Sequence, residues 1–212
     1  QFARRETASE QLYQMGREAL PTLQLVLRRS EDEEQRHRLV RIIDLLAEQD
    51  LESRIQSFLK GGPAELENWA EFEDWVSDSR PTRELFVELY RTHPYLVKSL
   101  GGTPQQLALA ITKTQRNMVE RGVGRSETPE RVDLVALLLP TAQPNFRANS
   151  QHDSIIAFML QLYPTGELSD DQVIGEPFLR LVDQWMTTSD RAVREQVVRL
   201  ALQWKMDVAL DL

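Results

Sequence analysis

Imidazole is the side chain best suited to proton transfer and metal ligation near neutrality, and the sequence holds three: His37, His93 and His152. No two of them lie three or four residues apart, the spacing that lets one helix present two rings to one ion. The chain has no cysteine, which removes thiolate metal sites, disulfides and cysteine nucleophiles together. No metal and no other cofactor is expected. His37 stands between Arg36 and Arg38 near a helix start and is expected in solvent. His93 precedes Pro94 at a helix end, where a positively charged ring would suit the dipole.

His152 has the most polar surroundings, for Asn145, Arg147, Asn149, Ser150, Gln151, Asp153 and Ser154 cluster beside it just ahead of an apolar segment. Loops held by rigid helices often carry binding residues, so Arg147, Asn149 and His152 are candidate contacts for a partner or ligand. The competing role for this cluster is helix capping by Ser150 or Asp153. Consecutive His152, Asp153 and Ser154 do not make a catalytic triad, because neighbouring side chains point apart. Gly122-Val-Gly124 lacks the lysine and preceding strand of a phosphate loop and reads as a turn. There is no Gly-x-Ser-x-Gly elbow, and the carboxylates are spread over predicted solvent faces, so no catalytic site is expected.

Charge is patterned locally. Glu65, Glu67, Glu71, Glu73, Asp74 and Asp78 occur without an intervening Lys or Arg, either as a patch for a basic partner or as the wet side of a helix. Trp69, Phe72 and Trp75 share that segment, as core or as a recognition stripe. Arg28, Arg29, Arg36, Arg38 and Arg41 make a basic concentration, with Arg36 and Arg38 as further candidate contacts. Glu31, Glu33 and Glu34 lie near enough to neutralise them. The formal charge of −8 and pI near 5.0 repel phosphate backbones and anionic headgroups, so neither nucleic acid nor a membrane is an expected partner. The longest uncharged stretches, 134–146 and 154–166, are broken by Pro or Gly and fall short of the roughly 20 residues a bilayer requires.

The elements that must position these groups are helical. With 41% hydrophobic and 27% charged residues, the chain can bury a sizeable core. Leu39, Ile42, Ile43 and Leu46 follow helical spacing, and Val40 and Leu45 widen the stripe enough to predict cover on two sides. Asp32, Glu33 and Glu34 suit the first turn, with Ser30 as the expected cap. Upstream, a helix over Ala8, Leu12 and Met15 ends at Gly16, and a second over 17–29 carries Leu20, Leu23 and Leu27. Breakers introduce further helices over 64–76, from Pro81 to Pro94, 103–121, 128–139, 153–163, 169–186 and 189–206. No segment alternates as a strand would, so the fold class is all-α with about ten helices. Two regions are expected, 1–60 and 61–212.

One pattern recurs. Asp190, Arg194, Val197, Val198, Arg199 and Leu200 match Asp32, Arg36, Leu39, Val40, Arg41 and Ile42 under a constant shift. Ala8, Leu12, Gly16, Ala19, Leu20, Pro21, Leu23, Leu27, Asp32, Arg36, Leu39, Ile42 and Leu46 together resemble a HEAT-like repeat. The resemblance covers residues 1 to 48, touches 190–204 and leaves the middle unmatched. It implies antiparallel helical hairpins stacked into a short α-α superhelix or an irregular helical array. It also implies a non-enzymatic scaffold that binds another protein. The alternative is a ligand-binding or accessory domain of an enzyme that uses the loop 145–154. The start at Gln1 without methionine suggests a trimmed piece of a larger protein, expected to be bacterial, and the compartment stays open.

Overall fold

The computed structural model describes residues 8, 11–12, 14–63, 65–143, 146, 149–162, 175–189, 192–193 and 195. The expected helix 189–206 and the matched positions from Asp190 onward lie almost wholly outside them, as does Arg147. The described residues form helices and turns, with a single isolated bridge between Val123 and Glu127 and no strand. The protein is all-α. It divides into two compact units, Gln1–Leu66 and Glu67–Leu212.

In the first unit, Gly16 adopts φ +59°, the left-handed conformation that glycine takes without penalty. It opens a 3₁₀ turn, Gly16–Ala19, that leads into α1, Leu20–Arg29, whose Pro21 sits harmlessly in the first turn. α2 runs Glu33–Leu59 and packs against α1 as a hairpin. Its cap is Asp32, whose carboxylate accepts the Glu34 and Gln35 amides at 2.9 and 3.2 Å. Ser30, the expected cap, instead donates its hydroxyl to the Gln35 side chain at 2.8 Å. The carboxylate wins because it satisfies orphan amides and faces the positive helix end at once.

Ala19, Leu23, Leu39, Ile42 and Leu46 are buried together, with Leu12, Leu20, Leu27 and Ile43 around them. Among the described residues no cover lies over the second side that was predicted: Val40 and Leu45 are 43% and 42% exposed. A single short neighbour, α1, can cover only one ridge of α2.

The second unit begins with α3, Trp69–Val76, shorter than the expected 64–76 because Asn68 turns left-handed at φ +62°. α4 spans Arg80–Thr92 behind a capping box of Ser79 and Thr82. Pro94 ends it, through the missing amide and the restriction on His93, and opens the one-turn α5, Pro94–Val97. α6, Pro104–Arg121, starts at a Thr103–Gln106 capping box and stops at Gly122, φ +83°. α7 covers Arg131–Leu138, α8 Ser150–Leu162 and α9 Gly175–Thr188.

Trp69, Phe72 and Phe86 meet in tilted and edge-on contacts with centroids 5.1 to 5.8 Å apart, so Trp69 and Phe72 of the aromatic stripe are core, whereas Trp75 is only partly buried. α7 is the hub of the unit. Every residue from Val132 to Ala142 is buried, and α4, α6, α8 and α9 all pack on this segment or its 3₁₀ continuation, Leu139–Ala142. Asp153 of α8 is buried too, and accepts the indole N–H of Trp185 in α9 at 2.8 Å. Among the described residues no helix is long and apolar enough to cross a membrane.

Leu39→Asp would set a carboxylate without a partner among Ala19, Leu23 and Ile42. We expect it to cost about 3–5 kcal/mol and to unfold the first unit. Loss of helical circular dichroism on heating, at a lower temperature than the parent, checks this; superimposable melts would contradict the placement.

Candidate functional site

His93 is held by the break between α4 and α5, which turns its ring inward rather than onto the helix end. The ring is buried, and its Nε2 lies 3.0 Å from Oδ1 of Asp133 in α7. The same oxygen accepts from Nη2 of Arg121, at the end of α6, whose Nε in turn donates to Asn117 at 3.0 Å. The Glu130 amide donates to the other Asp133 oxygen at 3.2 Å. One carboxylate thus ties α4, α6 and α7.

Burial pushes the Asp133 carboxyl up. The His93 and Arg121 hydrogen bonds, the Arg121 charge and the Glu130 amide outweigh that and hold it below its ordinary value. Glu88, half-buried on α4, goes the other way: burial raises it, Arg131 opposes, and Glu130 and Asp133 add to the rise. Carboxyls driven apart in this manner are a hallmark of acid and base pairs. Glu88, however, does not border the cleft described next.

Beside His93 opens a cleft of about 400 Å³, lined by Arg91, Thr92, His93, Pro94, Tyr95, Lys113, Thr114, Arg116, Asn117 and Glu120. Its cationic side chains outnumber its single carboxylate, Glu120. The Lys113 ammonium sits 4.3 Å from the ring centroid of Tyr95, which is 59% exposed. Two buried polar atoms of the lining residues, His93 Nδ1 and Thr114 Oγ1, have no hydrogen-bond partner among the described residues. A second cleft of about 260 Å³ lies among Glu71, Asp74 and Trp75 of α3, Gly101, Gly102, Leu107 and Phe146. From the acidic run beside it, Asp78 is paired with Arg83 at 2.6 Å.

Apart from Arg147, which lies outside the described residues, the candidate contacts read from the sequence fall elsewhere. Asn149 caps α8, accepting the His152 amide at 2.8 Å. His152 is buried, its Nε2 donating to the Leu137 carbonyl and its Nδ1 accepting from the Gln115 amide, each at 3.0 Å. Both nitrogens are committed, and burial pushes the ring below its ordinary value despite the Leu137 carbonyl and Asp153. Arg36 donates to the Leu27 and Ser30 carbonyls at 3.2 Å, closing the C-terminal end of α1. Arg38 pairs with Glu34 at 2.7 Å. His37 is exposed, as expected. Asp133 of α7 and the α6 residues Arg121, Thr114 and Lys113 went unread because their convergence with His93 joins separate helices. The signal for Asp133 was a carboxylate set directly against the uncharged stretch that begins at Leu134.

Asp133→Asn removes the charge that His93 and Arg121 share, and we expect it to lower stability by about 3 kcal/mol. Urea denaturation at neutral pH measures this, and an unchanged midpoint would contradict it. For His152 the sign runs toward acid. The folded chain holds the ring below its ordinary value, so as pH falls through about 6.5 the unfolded chain binds the proton first and stability is lost. Urea midpoints should therefore fall from about pH 7.5 to about pH 5.5, and fall less steeply in His152→Gln. Asp133 adds stability above its unfolded value that disappears only at lower pH still. No family model matches the chain, and neither a curated protein nor a solved structure does.

Proposed function

We propose that the chain is a non-enzymatic interaction module that binds an acidic segment of another protein in the cleft between α4–α5 and α6. One observation carries this reading: the cleft is lined by Arg91, Lys113 and Arg116 against one carboxylate, in a chain whose formal charge is −8. A local reversal of sign steers an anionic partner to one place and repels it elsewhere. Tyr95, exposed beside Lys113, adds the rigid amphipathic surface that partner interfaces favour.

The HEAT-like reading of the hairpin α1–α2 belongs to the same proposal, because such repeats hold partners on surfaces built from stacked helices. The alternative, a ligand pocket beneath residues 145–154, draws no support from His152, whose ring is fully engaged inside the protein. Nucleic acid is not part of the proposal, since the overall charge opposes it.

A fluorescein-labelled peptide of Asp and Glu, titrated with the chain and followed by anisotropy, tests the reading. We expect saturable binding that weakens with added salt and falls by at least about tenfold in Lys113→Glu/Arg116→Glu. Equal binding of a lysine-rich peptide, or indifference to the double charge reversal, would overturn it.

A further inference from the structure

One wall of the cleft is a row of side chains whose order is informative. Leu109, Lys113, Arg116 and Glu120 of α6 stand at i, i+4, i+7 and i+11, so they share one face of the helix over about 16 Å of its length. All four are exposed, and the last three border the cleft. Leu109, one turn before Lys113, is 59% exposed, an aliphatic side chain left in water. The Lys113 ammonium lies over the ring of Tyr95, which is just as exposed, so apolar surface continues from this face of α6 toward α5. Among the described residues neither Arg116 nor Glu120 is held in an ion pair. The row therefore passes from apolar through cationic to anionic, with its charges unspent. A helix consumes its own amides and carbonyls, so this wall has no free backbone edge for an extended strand to join.

We propose that the acidic segment is an amphipathic helix lying along α6, with an aliphatic anchor on Leu109 and Tyr95, carboxylates at Lys113 and Arg116, and a basic residue at Glu120. This deepens, and rests on, the acidic-segment reading above. A helical occupant satisfies its own backbone and needs none from the wall, and its side chains recur at the spacing of the row it meets. The three parts of the row do different work. Exposed ion pairs contribute little affinity alone and mainly speed and orient the encounter. Covering Leu109 and the Tyr95 ring removes apolar surface from water and slows departure. Glu120 sets the register, because a helix shifted by one turn brings a carboxylate opposite it and is repelled. The cleft thus reads the order of residues in its partner as well as their net charge.

The test uses fluorescein-labelled, helix-forming peptides of roughly 20 residues that carry Leu, Glu, Glu and Lys at the spacing of the row. A second peptide has Ser for Leu, a third has the Leu moved between the two Glu positions, and a fourth has a central Pro that breaks the helix. Anisotropy should show the first binding at least about tenfold tighter than each of the others. Leu109→Ser, at an exposed position, should keep the melting temperature and bring the Leu peptide down to the affinity of the Ser peptide. Glu120→Lys gives an independent check: it should weaken the peptide ending in Lys and strengthen one with Glu in that place. Equal affinities for the Leu and Ser peptides, both lost in Lys113→Glu/Arg116→Glu, would sink the helix inference and leave the acidic-segment reading standing. No binding of any peptide would sink both. A Leu preference that survives Leu109→Ser would put the anchor elsewhere and overturn the assignment, and undiminished binding of the Pro peptide would overturn the helical form.

Discussion

A carboxylate excluded from water must be given partners by the fold, and Asp133 is the residue on which the larger unit turns. It belongs to a helix whose every other residue from Val132 to Leu138 is an apolar one without contact with solvent. An unpaired charge there would be ruinous, so α4 must bring His93 and α6 must bring Arg121. Those two requirements fix where α4 and α6 end relative to α7. The cleft lies where these helices diverge, beside the very ring that the carboxylate holds in place.

This arrangement ties the walls of the candidate cleft to the core. His93 is held through one nitrogen for the sake of the core, and the geometry of that bond is what leaves the second nitrogen over. Rigid placement lowers the entropy that an occupant would lose on docking. In the proposed reading, the net charge of −8 would turn an anionic segment away from the rest of the surface.

Much of the fold was legible because its causes are local. The glycine at 16, the prolines at 21 and 94, and the Thr103–Gln106 box act over a single turn, and each does in the structure what its chemistry demands. The rivalry between Ser30 and Asp32 for one cap was harder, since both suit the position and only the geometry of the turn decides. The cleft was hidden for a different reason. His93 and Asp133 are 40 residues apart and Thr114 lies on a third helix, so no window of sequence contains the site. His152 attracted notice by its polar neighbours, yet of these Asn149 caps α8, and the buried ring is satisfied from other helices, by Gln115 and the Leu137 carbonyl. Polarity along the chain reports where hydrogen bonds are needed, and says little about whether they are spent indoors.

The uncovered flanks of α2 have a consequence of another kind. Val40 and Leu45, five residues or about 140° apart around the helix, leave aliphatic surface on either side of the ridge that α1 covers. Aliphatic surface left in water on both flanks of one helix raises the free energy of the bare hairpin relative to one whose flanks are covered.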